Sequence, residues 1–332
     1  MTTFISVFAM GAPLTVQWSG LHDADAVDAW DRLLSPGRWD TVFGEAAYLE
    51  AISSNSNCEI EQVTILAESG PAAAARLAVR RLFGLAYVVI PPLTAYSAIR
   101  LGSDPDEAEI HDRTSVLESL LEAVERRFYA AALHLPPPIQ DLRPFTWRGW
   151  GVRPLYTYHI RLDGAHDPID AWSESARRMA RQRSQEFEIV SGEAAMQARW
   201  VVESYGRSGR KPPLTEERLA AVAENLKRDG LATTYAARNL ASKEIEASVT
   251  VLRNDDTAYY WAAGSRPGPS MTVLLASLLP LLASDGITLF DFIGANTASI
   301  AEFKRRFGGQ LTTYFRAVRR RGVIGRILGS RS

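Results

Sequence analysis

The sequence predicts an α+β protein of two tandem modules, each a mostly antiparallel mixed sheet flanked by helices. Three observations carry this reading. At 332 residues the chain is long enough for two domains with separate cores. Segments with a helical period of 3.6 and a strand period of 2 are interleaved along its length. The two halves also repeat one order, helices, then antiparallel strands, then a long helix, then a further strand, with no residue-level repeat. The Trp147–Pro154 stretch reads as the connector, which gives modules of residues 1–150 and 151–332.

In the first half, Leu14–Trp18 reads as a strand. Asp23–Leu34 carries apolar Ala26, Val27, Trp30, Leu33 and Leu34 at helical spacing behind an acidic first turn, and Ser35-Pro36-Gly37 breaks it. A short helix follows at Gly44–Ile52, then a polar loop at Ser53–Asn57. Glu61–Ala67 and Ala74–Val79 read as strands about the turn Ser69-Gly70-Pro71. Leu85–Ile90 is a β-rich run ended by two prolines. Asp106–Ala130 is a helix with Val116, Leu117, Leu120, Leu121, Val124 and Phe128 on one stripe, and Leu133–Leu135 a short strand.

In the second half, Leu155–Leu162 alternates as a strand does. Asp170–Glu186, Glu193–Tyr205 and Thr215–Lys227 read as helices, the last with Glu216 and Glu217 suited to its N-terminus. Thr233–Ala237, Ile245–Leu252 and Thr257–Ala263 form a three-strand run. Met271–Ser284 is a helix that Pro280 bends or interrupts. Ile287–Ile293 is a strand, a short helix surrounds Phe303, and Leu311–Val318 is the final strand before a basic tail, Arg319–Ser332.

Composition narrows the function classes. The single cysteine, Cys58, excludes an internal disulfide and cysteine-cluster metal sites, and fits a reducing, cytoplasmic compartment. The five histidines make no ligand pair at helical spacing. The N-terminus lacks a basic leader region, and the longest apolar run, Met271–Ala283, is too short to span a bilayer. Net charge is uneven. Residues 1–150 hold 11 Arg and no Lys against 19 acids, and residues 151–332 hold 26 basic against 19 acidic residues. The basic half is expected to meet something anionic.

The stretch with most chemical content is Ile287–Gly309. An apolar strand contains one acid, Asp291. A Gly294-Ala295-Asn296 turn follows, and then Phe303-Lys304-Arg305-Arg306-Phe307 is closed by Gly308-Gly309. A carboxylate inside an apolar strand costs several kcal/mol unless paired or solvated, so Asp291 is either a structural partner of nearby cations and amides or a proton acceptor. Tyr259 and Tyr260 face opposite sides of their strand. One of them positions substrate, or both are packing aromatics.

The ordered set Tyr259-Tyr260-Trp261, the apolar helix to Ala283, Phe290-Asp291-Phe292, and Phe303-Lys304-Arg305-Arg306-Phe307-Gly308-Gly309 resembles the C-terminal module of the FemAB-like branch of the GNAT acyltransferase superfamily. Leu162 followed by Ser173, Arg177, Arg178 and Arg181 is similar to the basic helix that opens that module. The resemblance covers residues 155–318 and extends weakly to 14–150. It implies tandem GNAT-like folds and transfer of an acyl or aminoacyl group to an amine, in cell-envelope or exopolysaccharide chemistry or on other amine acceptors. It implies acyl-CoA or aminoacyl-tRNA as co-substrate and no permanently bound cofactor. No charged helical hairpin is inserted in residues 190–240, so the match is to the compact acetyltransferase-like subgroup.

On that resemblance, Phe303 and Lys304 are expected at the reacting centre, Lys304 as the cation nearest the developing oxyanion or the donor phosphate, with Asp291 beside them. Gly264, Ser265, Arg266, Gly268 and Asn296 are expected on the donor's phosphate side, although Pro267 and Pro269 remove two of the amides that such a loop uses. Tyr259, Tyr260, Arg177, Arg178 and Arg181 are expected on the acceptor side, the arginines alternatively forming a solvated helix face. The contrasting reading is a non-catalytic module of the same fold that holds an anionic ligand.

Overall fold

A computed structural model describes residues 5–7, 14–33, 40–102, 110–162, 164 and 167–322, with backbone only for 5–7 and 110–112. The expectations for residues 35–37, for the start of the long helix before Ile110, and for the tail beyond Gly322 lie outside them. The elements run β1 (Ile5–Val7), β2 (Leu14–Gly20), α1 (Ala24–Arg32), α2 (Ala46–Ser56), β3 (Glu59–Ala67), β4 (Gly70–Leu82), β5 (Leu85–Val89), β6 (Ala98–Leu101), α3 (Ile110–Arg127), β7 (Ala130–Leu135) and α4 (Arg143–Trp147). They continue with β8 (Gly151–Arg161), α5 (Glu174–Arg183), β9 (Phe187–Ser191), α6 (Ala194–Arg207), α7 (Glu216–Arg228), β10 (Ala232–Asn239), β11 (Ile245–Arg253), β12 (Thr257–Ser265), α8 (Ser270–Ser284), β13 (Leu289–Asp291), α9 (Ala298–Arg305) and β14 (Gln310–Arg320).

The chain divides into two compact units. Unit 1 is residues 1–154 together with 314–332, and unit 2 is residues 155–313. In unit 1, strands β1 to β5 form an antiparallel series. Helix α3 then crosses to β7, which lies parallel to β5 with Tyr87 opposite Ala130. The end of β14 pairs antiparallel with β7, from Phe315 opposite Leu135 to Arg320 opposite Ala130. In unit 2, β9 to β12 are antiparallel. Helix α8 crosses to β13, which lies parallel to β12, and β13 in turn pairs with β8. In chain order each unit contains a run of two helices (α1 and α2, or α6 and α7), three successive antiparallel strands (β3 to β5, or β10 to β12), a crossover helix and a parallel strand, as the shared order of the halves predicts.

Each unit has its own core. Unit 1 packs Leu117, Leu120, Leu121, Val124 and Phe128 of α3 on Val63, Ile65, Leu77, Val88 and Leu133. Unit 2 packs Met271, Leu274, Leu275 and Leu278 of α8 on Val249, Val251, Ala258, Phe290 and Phe292. The apolar stripe of α3, read as a periodic run in the sequence, and the nearly all-apolar α8 drive the two cores.

Several boundaries differ from expectation for local reasons. The segment expected as a polar loop at 53–57 is the last turn of α2. Ser53, Asn55 and Ser56 turn their side chains back onto carbonyls of the preceding turn, and Asn57 takes the left-handed conformation that ends the helix. Strand β8 begins at Gly151, inside the expected connector. Helix α8 runs through Pro280 without a break in its assignment. The expected strand Ile287–Ile293 is paired as a strand only over Leu289–Asp291, and that shortening creates the site described next.

Candidate active site

Strands β12 and β13 are paired over only three positions: Thr257 with Leu289, Ala258 with Phe290, and Tyr259 with Asp291. Beyond them β12 stays on β11 as far as Ser265. The chain after Asp291 stays on β8 instead, through Phe292 N–H to Tyr158 O at 3.0 Å and Ala295 N–H to Tyr156 O at 2.7 Å. Two parallel neighbours held by different partners must diverge. The result is a V-shaped opening that begins at the Tyr259–Asp291 pair. Beyond Tyr259 the edge of β12 on this side is no longer paired with β13.

The wall opposite β12 is a strained turn. Ile293 has a φ of +37° and Gly294 one of +62°. A positive φ at a β-branched residue is an outlier that surrounding contacts must hold. Asp291 holds one side, its Oδ1 accepting the N–H of Ile293 at 2.8 Å and the hydroxyl of Thr157 at 2.5 Å. Lys304, at the end of α9, holds the other. Its ammonium donates to the carbonyls of Phe292 and Gly294, each at 2.8 Å, and to that of Ile293. An ammonium has three protons, and each is engaged by one carbonyl. Lys304 is buried, and burial pushes its pKa down to about 7 against the pull of Asp291. Its charge also lies 5.7 Å from the centre of the Tyr260 ring.

The residues expected at the reacting centre thus converge, in distinct roles. Asp291 and Lys304 bracket the same turn. Phe303 is part of the apolar packing, edge-on to Phe307 at 5.0 Å. Tyr259 is fully buried on the Asp291 face of the sheet, and Tyr260 lies on the opposite face against Phe290 and Phe292. Burial raises the Tyr260 hydroxyl far above the ordinary phenol range. One participant was not anticipated. His159 on β8 lies directly opposite Asp291 in register, with Nε2 3.3 Å from Asp291 Oδ2. Its signal in the sequence was its place in the alternating run Leu155–Leu162, on the same face as Thr157. Finding it needed the pairing of β8 with β13.

The loop between β12 and α8 has a different character. Gly264 is a packing glycine, since a Cβ there would lie 2.3 Å from the carbonyl oxygen of Trp200 on α6. The Ser265 carbonyl accepts from Arg207. The Arg266 guanidinium bonds Glu244 at 2.6 Å, its main-chain N–H bonds Glu246 O at 2.8 Å, and its head lies 5.9 Å from the Trp200 ring centre. Gly268 is open to solvent, with nothing within 4 Å of its Cβ position. Asn296 is on the other side of the opening, its side-chain oxygen accepting the Tyr156 N–H at 2.8 Å. On α5, Ser173 caps the helix, Arg177 is half-buried with a bond to Asp170 O, and Arg178 and Arg181 are exposed. No group of His, Cys, Asp and Glu able to hold a metal occurs among the described residues, and none of their helices is long and apolar enough to cross a membrane.

Comparison with known proteins bears on the fold. The acetyltransferase (GNAT) domain family matches residues 173–305, which contain β9 to β13, the loop, and Lys304. No curated protein sequence matches the chain. Among solved structures, FemX is 11% identical over 90% of this chain and 96% of its own, with a TM-score of 0.64. A tandem GNAT protein from the clavulanic acid biosynthesis pathway is 12% identical over 92% and 98%, with a TM-score of 0.57. L-PGS from Bacillus licheniformis is 13% identical over 87% and 96%, with a TM-score of 0.52. Residues 173–305 therefore match a GNAT acetyltransferase domain, and the chain has the fold seen in FemX and in the tandem GNAT protein.

Proposed function

We propose that the protein transfers an acyl or aminoacyl group from acyl-CoA or aminoacyl-tRNA to an amine acceptor, and that the reaction takes place in the opening between β12 and the Ile293–Gly294 turn. The observation that carries this reading is the divergence of β12 from β13 immediately after the Tyr259–Asp291 pair. Attack of an amine on the donor carbonyl forms a C–N bond and a tetrahedral oxyanion. Collapse then expels a thiolate or a ribose oxygen. The amides along this edge of β12, which β13 no longer pairs, are placed to bond that oxyanion. The amine must also lose a proton. His159, beside the buried carboxylate of Asp291, has the arrangement of an oriented imidazole base. Lys304 acts as a positioning residue, because its three protons already serve the turn that forms the wall.

The phosphate side bears on the donor. Pro267 and Pro269 lack amide protons, and Arg266 is held by Glu244. The amides of Gly268 and of the first turn of α8 are the remaining groups that would meet a pyrophosphate. The similarity to FemX and L-PGS supports an envelope precursor or lipid as acceptor. The test is transfer by the full chain with labelled acyl-CoAs in one arm and charged tRNA in the other, over a panel of amine acceptors read by mass. Transfer from neither donor to any acceptor overturns the proposal. With a productive pair in hand, His159→Gln is expected to lower kcat by about 10²–10⁴-fold. Turnover unchanged in Lys304→Ala removes Lys304 from the mechanism.

A further inference from the structure

We infer that the β4–β5 hairpin of unit 1 inserts its tip, Phe83, into the surface layer of an anionic lipid bilayer. The strands pair Leu82 with Leu85 and leave a two-residue loop, Phe83-Gly84. Phe83 has a φ of +50° and Gly84 one of +78°. Positive φ at both positions is the turn whose twist suits a hairpin, and asparagine followed by glycine is the pair it favours. A bulky aromatic at the first position is an outlier on conformational grounds. It is unfavourable on solvation grounds as well, because Phe83 is 95% exposed. Phe83 therefore stabilises neither the turn nor a core, and its ring is presented outward for a partner.

The surroundings of the tip identify that partner. Strand β7 runs parallel to β5, and β14 runs antiparallel to β7, so the starts of β5 and β7 and the end of β14 reach one end of the unit 1 sheet. Main-chain bonds join them there: Tyr129 N–H to Ala86 O at 3.0 Å, and Arg321 N–H to Tyr129 O at 2.9 Å. Leu82 and Leu85 are half-buried at the base of the tip, and Tyr129 is 41% exposed beside it. The last turn of α3 brings Arg126 and Arg127 to the same end, and β4 brings Arg81. Glu59, Glu61 and Glu122 pair with these three. Arg321 is exposed, and the sequence that continues from it to Ser332 adds Arg326 and Arg331 and no acid. Positive charge is therefore in excess at this end. A projecting apolar ring, a tyrosine with a polar hydroxyl behind it, and surrounding arginines match the depth order of a bilayer surface, from acyl chain through headgroup to anionic phosphate. A protein partner would bury a broad apolar patch, whereas this tip is narrow and convex. None of the described helices is long and apolar enough to cross a membrane, so the contact is with the bilayer surface. None of these residues belongs to the proposed transfer site, and the inference stands independently of the function proposed above.

The test is co-sedimentation of the full chain, at low ionic strength, with vesicles of phosphatidylglycerol and phosphatidylcholine in equal parts and with vesicles of phosphatidylcholine alone. Wild type is expected to bind the mixed vesicles, and to bind the neutral ones at least about tenfold more weakly. Phe83→Asn places the favoured residue in the turn. It is expected to weaken binding to the mixed vesicles by about tenfold, with a urea denaturation midpoint equal to or above that of wild type. Phe83→Trp is expected to bind at least as tightly as wild type. The inference is overturned if wild type does not sediment with the mixed vesicles, if it binds both kinds alike, or if Phe83→Asn binds as wild type does. A lower midpoint in Phe83→Asn would give the ring a structural role, and a wild-type dimer that Phe83→Asn dissociates would give it to a contact between copies of the chain. Either result also overturns the inference.

Discussion

Lys304 illustrates how one side chain can hold a wall that the backbone alone would not keep. Ile293 at a positive φ raises the energy of the turn by roughly 1–3 kcal/mol, and the carbonyls of residues 292–294 converge on the hydrogen-bond donors of Lys304. Replacing Lys304 with Met removes the donors and leaves three acceptors facing an apolar chain. The expected loss is about 3–5 kcal/mol of unfolding free energy, measured by urea denaturation. The sign of the pH dependence follows from the depressed pKa. Below about pH 7 both folded and unfolded lysine are protonated, and the burial penalty is full. Between about 7 and 10.5 the unfolded chain binds the proton and the folded one releases it, so wild type gains stability as pH rises. Wild type is therefore expected to pull further ahead of Lys304→Met between pH 7 and 9. The glycine that follows the motif has a steric reason. Gly308 has a φ of +70°, and a Cβ there would lie 2.2 Å from the Ala171 carbonyl oxygen. Gly308→Ala is expected to cost about 2–4 kcal/mol, read as a lower denaturation midpoint.

The loop from Gly264 to Ser270 links strand β12 to helix α8, and its charge is already balanced by Glu244 on the neighbouring strand connection. If the amides of this loop receive a CoA pyrophosphate, freeing Arg266 should help. Glu244→Ala is expected to tighten CoA binding severalfold in a thermal-shift titration, with a steeper salt dependence than wild type. An unchanged affinity would place the donor's phosphates elsewhere. Helix α3 and the antiparallel strands were legible in the sequence because each carries an apolar period and ends in turn residues, and α8 because it is a long apolar run. The convergence of Asp291 with Lys304 was legible only as a resemblance of motifs. What the sequence did not reveal depends on pairing. The apolar run Ile287–Ile293 looks like one strand, yet residues 292–296 leave β12 and follow β8. His159 gains its place opposite Asp291 only through that register, and strand β9 is short enough for the flanking helical patterns to conceal it. Gly264 reads as a flexible phosphate-loop glycine and proves to be the point where α6 approaches the sheet.

Two units with separate apolar cores, one drawing its last strand from the end of the chain, allow each to have its own response to pH. His134 gives unit 1 such a response. Its Nδ1 lies 3.0 Å from the carbonyl oxygen of Ala95, its ring meets Tyr314 edge-on at 5.8 Å, and Arg316 is its cross-strand partner. Burial chiefly, then Arg316 and Arg153, hold its folded pKa at about 4 against an ordinary 6.5. A histidine depressed on folding binds its proton in the unfolded chain first. The unfolded state therefore gains protons as pH falls from 6.5 towards 4, and the stability present above 6.5 is lost across that window. From pH 7 to pH 5 this amounts to about 2 kcal/mol, at roughly 1.4 kcal/mol per pH interval below 6.5. The check is urea denaturation of wild type and His134→Asn at both pH values. Carboxylates titrate alike in the two proteins, so the difference isolates the imidazole. Wild type is expected to lose about 2 kcal/mol more than the variant between pH 7 and 5, and equal losses would show that His134 is protonated in the folded unit.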